Sequence, residues 1–241
     1  MRRDSAPDPS DSTAGQCDAT SAGTDSVDSH QSPPHVVAAA QRQIGELVHG
    51  QYTTVLHRPL LELVERLGDV LPSGLDSLFF ANSGSEAIEA ALRLARQATG
   101  RPNIVVFHGG FHGRTVAAAT MTTSGTRFSA GVSPLMAGVH VAPFPTAYRY
   151  GWSEEEATAF ALRELDYLFA TLSAPAETAA MVVEPVLGEG GHIPGNRTFF
   201  AGLRERADRH GIVLPGVGID NQTDFFVHRH RLRRLCGKRV F

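Results

Sequence analysis

Apolar and polar residues follow two alternating patterns along the middle of the chain. Short continuous apolar runs, typical of strands covered on both faces, are followed by segments in which apolar residues recur every three or four positions. This alternation predicts an α/β fold with an open, mostly parallel sheet flanked by helices. The predicted strands cover 77–81, 103–107, 139–142, 179–184 and, at the start of another, 211–214; the predicted helices cover 85–99, 115–122, 153–172 and 196–210.

The pattern changes at both ends of this region. Residues 1–31 are rich in Ser, Asp, Thr and Gly and have no apolar period, so we predict a disordered leader. Helices are predicted from Pro34 and from Pro59, because proline is favoured in the first helical turn. Gly100-Arg101-Pro102-Asn103 is interpreted as a helix-stop turn alone. The chain therefore divides into a leader (1–31), an α/β domain (32–214) and a basic tail (215–241).

Composition excludes several functional classes. The chain has 241 residues, of which 42% are hydrophobic and 20% charged, which is sufficient for one sizeable core. Its net charge of −3 gives no reason to expect nucleic acid as a partner, and its apolar runs are too short to cross a membrane. Two cysteines exclude a disulfide framework, and the histidines lack metal-ligand spacing, so no metal is expected. A cytoplasmic location is predicted because no secretory h-region follows the N-terminus.

The most informative segment passes from an apolar run at 78–81 through a small-residue turn into a helix. Free backbone N–H groups and the positive end of the helix dipole make such a turn a phosphate site. Gly84 lets the backbone approach an anion, and Ser85 adds a hydroxyl donor. Ser83 and Glu86 also match a capping box, which stabilises a helix by roughly 1 kcal/mol without a ligand. On this segment alone both interpretations stay open.

Two further loops follow predicted strands, and we expect them to converge because ligands bind beyond the carboxyl ends of parallel strands. In the 108–115 loop, Phe111 offers a flat apolar face to a ring, or else packs in the core. His112 beside it either shapes a pocket or is a hydrogen-bonded loop histidine. Glu184 begins the second loop, 184–191, where a strand-end carboxylate is a functional candidate, with a solvent-facing glutamate as the alternative.

In this order and at these separations, the motifs resemble the large domain of a class-III aminotransferase dependent on pyridoxal phosphate, of the 4-aminobutyrate or acetylornithine aminotransferase type. The resemblance covers about 34–214 and implies a partial large domain of a fold-type-I transferase without its C-terminal small domain. It implies pyridoxal 5'-phosphate as cofactor, an ω-amino acid or related amine as amino donor, a 2-oxo acid as acceptor, and a homodimer or homotetramer. The implied site comprises four cofactor-binding residues and one residue on the substrate side: Gly84, Ser85, Phe111, His112 and Glu184.

The resemblance ends after Leu214. The family continues with an aspartate that pairs with the pyridine nitrogen. Asp220 resembles that aspartate only weakly, because it lies at a different distance along the chain. Lys238, the sole lysine of the chain, has neither the spacing nor the neighbours of the family's Schiff-base lysine. We therefore expect no turnover and hypothesise that a truncation, frameshift or gene-model error replaced the family's continuation. The alternatives are a non-catalytic fragment or pseudoenzyme that at most binds cofactor or pairs with a full-length subunit, and a nucleic-acid anchor in the arginine-rich tail.

Overall fold

The computed structural model describes residues 33–71, 77–217 and 225–226. The chain splits into two compact units, Met1–Glu62 and Leu63–Phe241. The first unit contains α1 (Pro34–Glu46) and the beginning of α2 (Arg58–Val70), close to the two helices predicted from their prolines. Neither helix contains a buried residue. The leader predicted at 1–31 lies outside the described residues.

The remaining helices and strands belong to the second unit. Its helices are α3 (Gly84–Thr99), α4 (Val116–Met121), α5 (Ala147–Tyr150), α6 (Glu154–Thr171) and α7 (Arg197–His210). Its strands are β1 (Asn103–Phe107), β2 (Val139–Ala142), β3 (Thr178–Val182), β4 (Val186–Leu187), β5 (Ile193–Pro194), β6 (Gly216–Val217) and β7 (Phe225–Phe226).

A parallel sheet with the strand order β2-β1-β3 forms the centre of this unit. Val213 extends it by a single parallel bridge to Ala180, at the place where the sequence predicts the start of another strand. β3 is buried along its whole length. Continuous burial of this kind requires cover on both faces, so the predicted α/β fold with an open parallel sheet is confirmed.

Helices pack on both faces of the sheet, and alternate residues of β1 point to opposite faces. Val105 and Phe107 belong to a core shared with α6 and α7. Ile104 and Val106 belong to a second core shared with α3 and α4. The α3–α4 layer therefore sits against one face of the sheet. Gly84 and Ser85 begin α3, and the loop that leads into α4 carries Phe111 and His112.

The structure corrects two details of the sequence prediction. The strand predicted at 77–81 is wrong, because that segment is absent from every paired strand of the described chain. Its apolar residues do not all face a core, and Phe79 is 70% exposed. The antiparallel hairpins β4-β5 and β6-β7 were not predicted, since two-residue strands leave no periodic pattern to detect.

The turn after α3 does more than end the helix. Gly100 adopts the left-handed conformation that closes α3, as expected of a helix stop. Nη1 of the neighbouring Arg101 lies 3.1–3.2 Å from four backbone carbonyl oxygens. Charge-assisted hydrogen bonds of this kind contribute about 1.5–3 kcal/mol each at best, and less when one N–H is shared. Arg101 thus ties this turn to β3 and to the end of α7, through the oxygens of Pro175, Thr178, His210 and Gly211.

Candidate functional site

The loops that carry the predicted site residues meet beside the carboxyl ends of β1 and β3. The backbone N–H of Phe111 donates to Oε1 of Glu184 at 2.6 Å, which joins the two strand-end loops. The backbone N–H of Arg114 lies 3.3 Å from Oγ of Ser85, which joins the first loop to the start of α3. The structure therefore brings the predicted cofactor residues and Glu184 into one region.

At the start of α3, helix capping leaves donors free for an anion. Oγ of Ser83 accepts from the backbone N–H of Glu86 at 3.2 Å, while Oε2 of Glu86 accepts from the backbone N–H of Asn82 at 2.7 Å. The predicted capping box is therefore only half formed, because the glutamate reaches the residue before the cap. Within the described chain, the backbone N–H groups of Gly84 and Ser85 have no acceptor. Capping and anion binding are thus compatible at this helix end.

Phe111 lies outside both core clusters and is half-buried, which contradicts the core-packing alternative. Its ring meets the ring of Phe128 edge-on, with 4.9 Å between centroids and an interplanar angle of 63°. The guanidinium groups of Arg127 and Arg114 lie 4.7 and 5.6 Å from the centroid of Phe128. The ring of Phe111 therefore stands beside an aromatic ring flanked by two arginines, of which Arg127 is paired with Glu189 at 2.9 Å.

His112 is buried, and neither of its ring nitrogens has a hydrogen-bond partner in the described part of the chain. The alternative of a hydrogen-bonded loop histidine is therefore wrong for its side chain. Burial lowers the pKa of His112 to about 4, so the imidazole is neutral at pH 7. Two unpaired buried nitrogens are an unusual feature in a native protein and mark this position as a candidate for function.

The carboxylate of Glu184 is buried and holds two loops, which contradicts the solvent-facing alternative. Besides the N–H of Phe111, it accepts the backbone N–H of Gly188 through Oε2 at 3.1 Å. Burial raises the pKa of Glu184, and the two hydrogen bonds partly oppose that effect. These contacts make Glu184 an anchor for the Phe111 loop, and its predicted position on the substrate side stays a prediction.

Two neighbours of the site have no obvious signal in the sequence. Glu89 lies one helical turn after Ser85, and its Oε1 accepts from the hydroxyl of Thr115 at 2.6 Å and from the backbone N–H of Ala117 at 3.2 Å. It therefore caps α4 from α3. Gly113 has φ +128°, and a methyl group built on it would lie 2.3 Å from Oγ of Ser85. Only glycine fits this contact between the loop and α3.

A separate cavity of about 380 Å³ opens between the ends of β1 and β2 and the β4-β5 hairpin. His108 and Arg149 line it together with Phe144 and Leu187, but none of the predicted site residues does. Burial lowers the pKa of His108, and the positive charge of Arg149 lowers it further. This cavity therefore stands apart from the predicted cofactor site.

In the described part of the chain, none of the helices combines the length and hydropathy needed to cross a bilayer. No group of three or more His, Cys, Asp or Glu side chains among the described residues is arranged to hold a metal ion.

A parallel sheet whose strand-end loops meet the free N-terminus of a helix defines an α/β protein suited to binding an anionic ligand. The chain belongs to the class-III aminotransferase family, whose sequence model, described as "Aminotransferase class-III", matches residues 17–215. This match confirms the resemblance inferred from the motifs.

Individual relatives agree with the family assignment. The chain is 35% identical over 182 residues to the 5-aminovalerate aminotransferase of Pseudomonas putida, which is 75% of this chain and 42% of that protein. It is 36% identical over 197 residues to a probable 4-aminobutyrate aminotransferase of Bacillus subtilis, which is 80% of this chain and 45% of that protein. The chain therefore spans less than half the length of these curated relatives.

A solved structure extends the comparison to three dimensions. The chain is similar to an amine transaminase from an uncultivated Pseudomonas species in its PLP-bound form, with a TM-score of 0.71 and 29% sequence identity. The similarity covers 77% of this chain and 44% of that one. The partial match agrees with the predicted large-domain fragment of a PLP-dependent transferase fold.

Proposed function

We propose that this chain forms the cofactor-binding part of a class-III aminotransferase large domain and that its ligand is pyridoxal 5'-phosphate. The observation that carries the proposal is the start of α3, where the N–H groups of Gly84 and Ser85 have no acceptor among the residues that the structure describes. The hydroxyl of Ser85 lies against Gly113, which leaves no room for a side chain beside it. Donors without acceptors at a helix N-terminus fit a phosphate group.

The other site residues suit the remainder of such a ligand. Phe111 offers a flat apolar ring, and His112 places a neutral, buried imidazole next to it. Glu184 keeps the Phe111 loop in place through a backbone hydrogen bond. When bound, pyridoxal phosphate supplies the electron sink for exchange of an amino group, and the protein supplies binding and orientation. In the family reaction the donor is an ω-amino acid or related amine and the acceptor is a 2-oxo acid.

Replacing Ser85 with Ala tests the phosphate site directly. The probe is pyridoxine 5'-phosphate, which has the ring and phosphate of the cofactor but no aldehyde, so its binding requires no lysine. We expect wild-type protein to bind it and Ser85→Ala to bind about tenfold more weakly, since one hydrogen bond to a charged group contributes about 1.5 kcal/mol. The measurement is isothermal titration calorimetry with each protein.

Ser153→Ala is the matched control for that experiment. Ser153 caps α6, on the other face of the sheet, and its loss costs about 1 kcal/mol of stability without touching the site. We expect its affinity for pyridoxine 5'-phosphate to equal that of wild type. Equal affinity of wild type and Ser85→Ala, or no binding by wild type, would contradict the proposal.

The chain as written is expected to bind the cofactor without transferring amino groups. Its sole lysine, Lys238, lies in the 215–241 segment that departs from the family pattern. With pyridoxal 5'-phosphate, 4-aminobutyrate and 2-oxoglutarate present, we expect no glutamate to form. After borohydride reduction in the presence of pyridoxal 5'-phosphate, we expect neither wild type nor Lys238→Ala to gain the mass of the cofactor. Steady glutamate formation that disappears in Lys238→Ala would overturn this expectation and make the chain a working enzyme.

A further inference from the structure

The loop that carries Phe111 is held by side chains rather than by regular secondary structure. Three consecutive backbone N–H groups each donate to a side-chain oxygen from elsewhere in the chain. Gly110 donates to Oγ1 of Thr123 at 3.0 Å, Phe111 donates to Oε1 of Glu184 at 2.6 Å, and His112 donates to Oγ1 of Thr122 at 2.9 Å. The ring and the imidazole of this loop therefore depend on contacts with residues outside it.

Thr122 makes the buried contact of this set. It follows the last residue of α4 and is 7% exposed. A threonine at this position commonly donates its hydroxyl to the carbonyl oxygen four residues earlier, and Oγ1 of Thr122 lies 3.0 Å from that oxygen, on Ala118. The same Oγ1 lies 3.1 Å from the carbonyl oxygen of Gly113 while it accepts the N–H of His112. The hydroxyl therefore accepts the N–H of His112 and shares its single proton between the carbonyl oxygens of Ala118 and Gly113, so it contacts the loop on both sides of the His112–Gly113 peptide.

Loss of the Thr122 hydroxyl would affect both the start of α3 and the ring of Phe111. Gly113 lies against Ser85, so a shift of its backbone changes the contact at the start of α3. Phe111 and His112 share a peptide unit, so a shift of the His112 backbone also turns the ring of Phe111. A buried N–H without an acceptor is costly, and the loop would move to satisfy it if the hydroxyl were absent.

We propose that Thr122 is a positioning residue for the cofactor: its hydroxyl fixes the His112–Gly113 peptide and thereby aligns Phe111 with Ser85. This inference rests on the proposed function, because it assigns the aligned groups to pyridoxal phosphate. Thr122 itself does not contact the ligand in this proposal. It affects binding by fixing the position of the loop that carries Phe111 and His112.

The test compares variants that remove or keep the hydroxyl. Thr122→Val keeps the shape of the side chain and removes Oγ1, whereas Thr122→Ser keeps Oγ1 and removes a methyl group. We expect the Kd for pyridoxine 5'-phosphate to rise about tenfold in Thr122→Val and to stay within about twofold of wild type in Thr122→Ser. Should Thr122→Val fail to fold, Thr122→Ala removes the same hydroxyl and carries the same expectation.

Thr120→Val is the matched control, because it removes a hydroxyl from the end of α4, two residues before Thr122, without touching the loop. Oγ1 of Thr120 donates to the carbonyl oxygen of Val116 and accepts the backbone N–H of Met136. The thermal midpoint of Thr120→Val is expected to fall as in Thr122→Val, but its Kd for pyridoxine 5'-phosphate is expected to equal that of wild type. Equal weakening by Thr120→Val and Thr122→Val would show a general loss of stability and overturn the inference.

A double-mutant cycle with Phe111→Leu measures the coupling between Thr122 and Phe111 in the Kd for pyridoxine 5'-phosphate. A purely structural role of Thr122 would give no such coupling. If Thr122 acts through the ring of Phe111, removing its hydroxyl in the Phe111→Leu background should raise the Kd less than about threefold. Full additivity of the two changes would overturn the inference and leave the proposed function intact. Absence of pyridoxine 5'-phosphate binding by wild type would overturn both.

Discussion

Gly113→Ala is expected to lower the free energy of unfolding by about 3 kcal/mol and to abolish binding of pyridoxine 5'-phosphate. The backbone of Gly113 has φ +128°, where a residue with a Cβ is strained by about 1–3 kcal/mol. The added methyl group would also lie 2.3 Å from Oγ of Ser85 and 3.0 Å from Cβ of Ala118. Overpacking of this kind costs about 1–3 kcal/mol, and relief of the clash must push the loop away from α3. Urea unfolding and calorimetric titration measure the two effects.

Gly131→Ala separates the effect of the backbone from that of the contact. Gly131 also has a positive φ, +78°, but no atom lies within 4 Å of the place a methyl group would take. We expect this control to cost about 1 kcal/mol, the low end for backbone strain at a positive φ, and to leave binding unchanged. A loss at Gly113 no larger than the loss at Gly131 would show that the contact with Ser85 is unimportant.

The structure also identifies the variant that should relieve the clash. Because the nearest atom is Oγ of Ser85, removing it in Gly113→Ala/Ser85→Ala should recover about 1 kcal/mol relative to the sum of the single changes. The remaining 3.0 Å approaches to Cβ of Ser85 and Cβ of Ala118 explain why recovery should be incomplete. Strict additivity would indicate that the loop relaxes away from α3 in the single variant.

The sheet and most helix bounds could be predicted from the sequence because their signals are local. Ser153 and Asn196 are N-caps whose side chains accept backbone N–H groups three residues later, and both begin helices within a residue of the prediction. The apolar run of β1 is buried on both sides, as its composition indicates. The wrong strand at 77–81 has a local apolar pattern as well, but strand formation requires a pairing partner that composition does not reveal.

The predicted site residues lie in sequence motifs, whereas the long-range hydrogen bonds that hold their loops leave no local signal in the sequence. Thr122 bonds a backbone group 10 positions away, Glu89 one 28 positions away and Glu184 one 73 positions away. Thr122 otherwise has the sequence signature of an ordinary helix end. Contacts of this kind depend on how α3, α4 and the strand-end loops pack together, and periodicity carries no information about that packing.

Acid should destabilise the chain through His112, by about 3 kcal/mol between pH 6.5 and pH 4. Burial lowers the pKa of His112 to about 4 in the folded chain, from a usual value of 6.5. Between these two values the unfolded chain binds the proton and the folded chain does not, so folding becomes less favourable as the pH falls. The difference of about 2.5 pKa units corresponds to about 3 kcal/mol. Above about pH 6.5 this contribution to stability is complete.

His112→Gln removes the titrating group and should therefore flatten this part of the pH profile. We expect the free energy of unfolding of wild type minus that of His112→Gln to fall by about 2–3 kcal/mol between pH 7 and pH 4.5, as measured by urea unfolding. A difference between wild type and His112→Gln that does not vary with pH would contradict a neutral, buried His112.

Glu184, close to His112, has the opposite effect on the pH dependence of stability, because its pKa is raised in the folded chain. A methyl group built on Gly110 would lie 3.0 Å from Nε2 of His112 and 3.5 Å from Oε1 of Glu184, so both side chains face Gly110. The raised pKa of Glu184 stabilises the fold most below its usual pKa of 4.5, and that stability is lost as the pH rises through the folded pKa. Glu184 is present in both proteins, so its direct effect cancels in the difference. In the described part of the chain the imidazole has no hydrogen-bond partner, and it makes folding more costly in acid, so His112 stays a candidate for function beside the proposed cofactor.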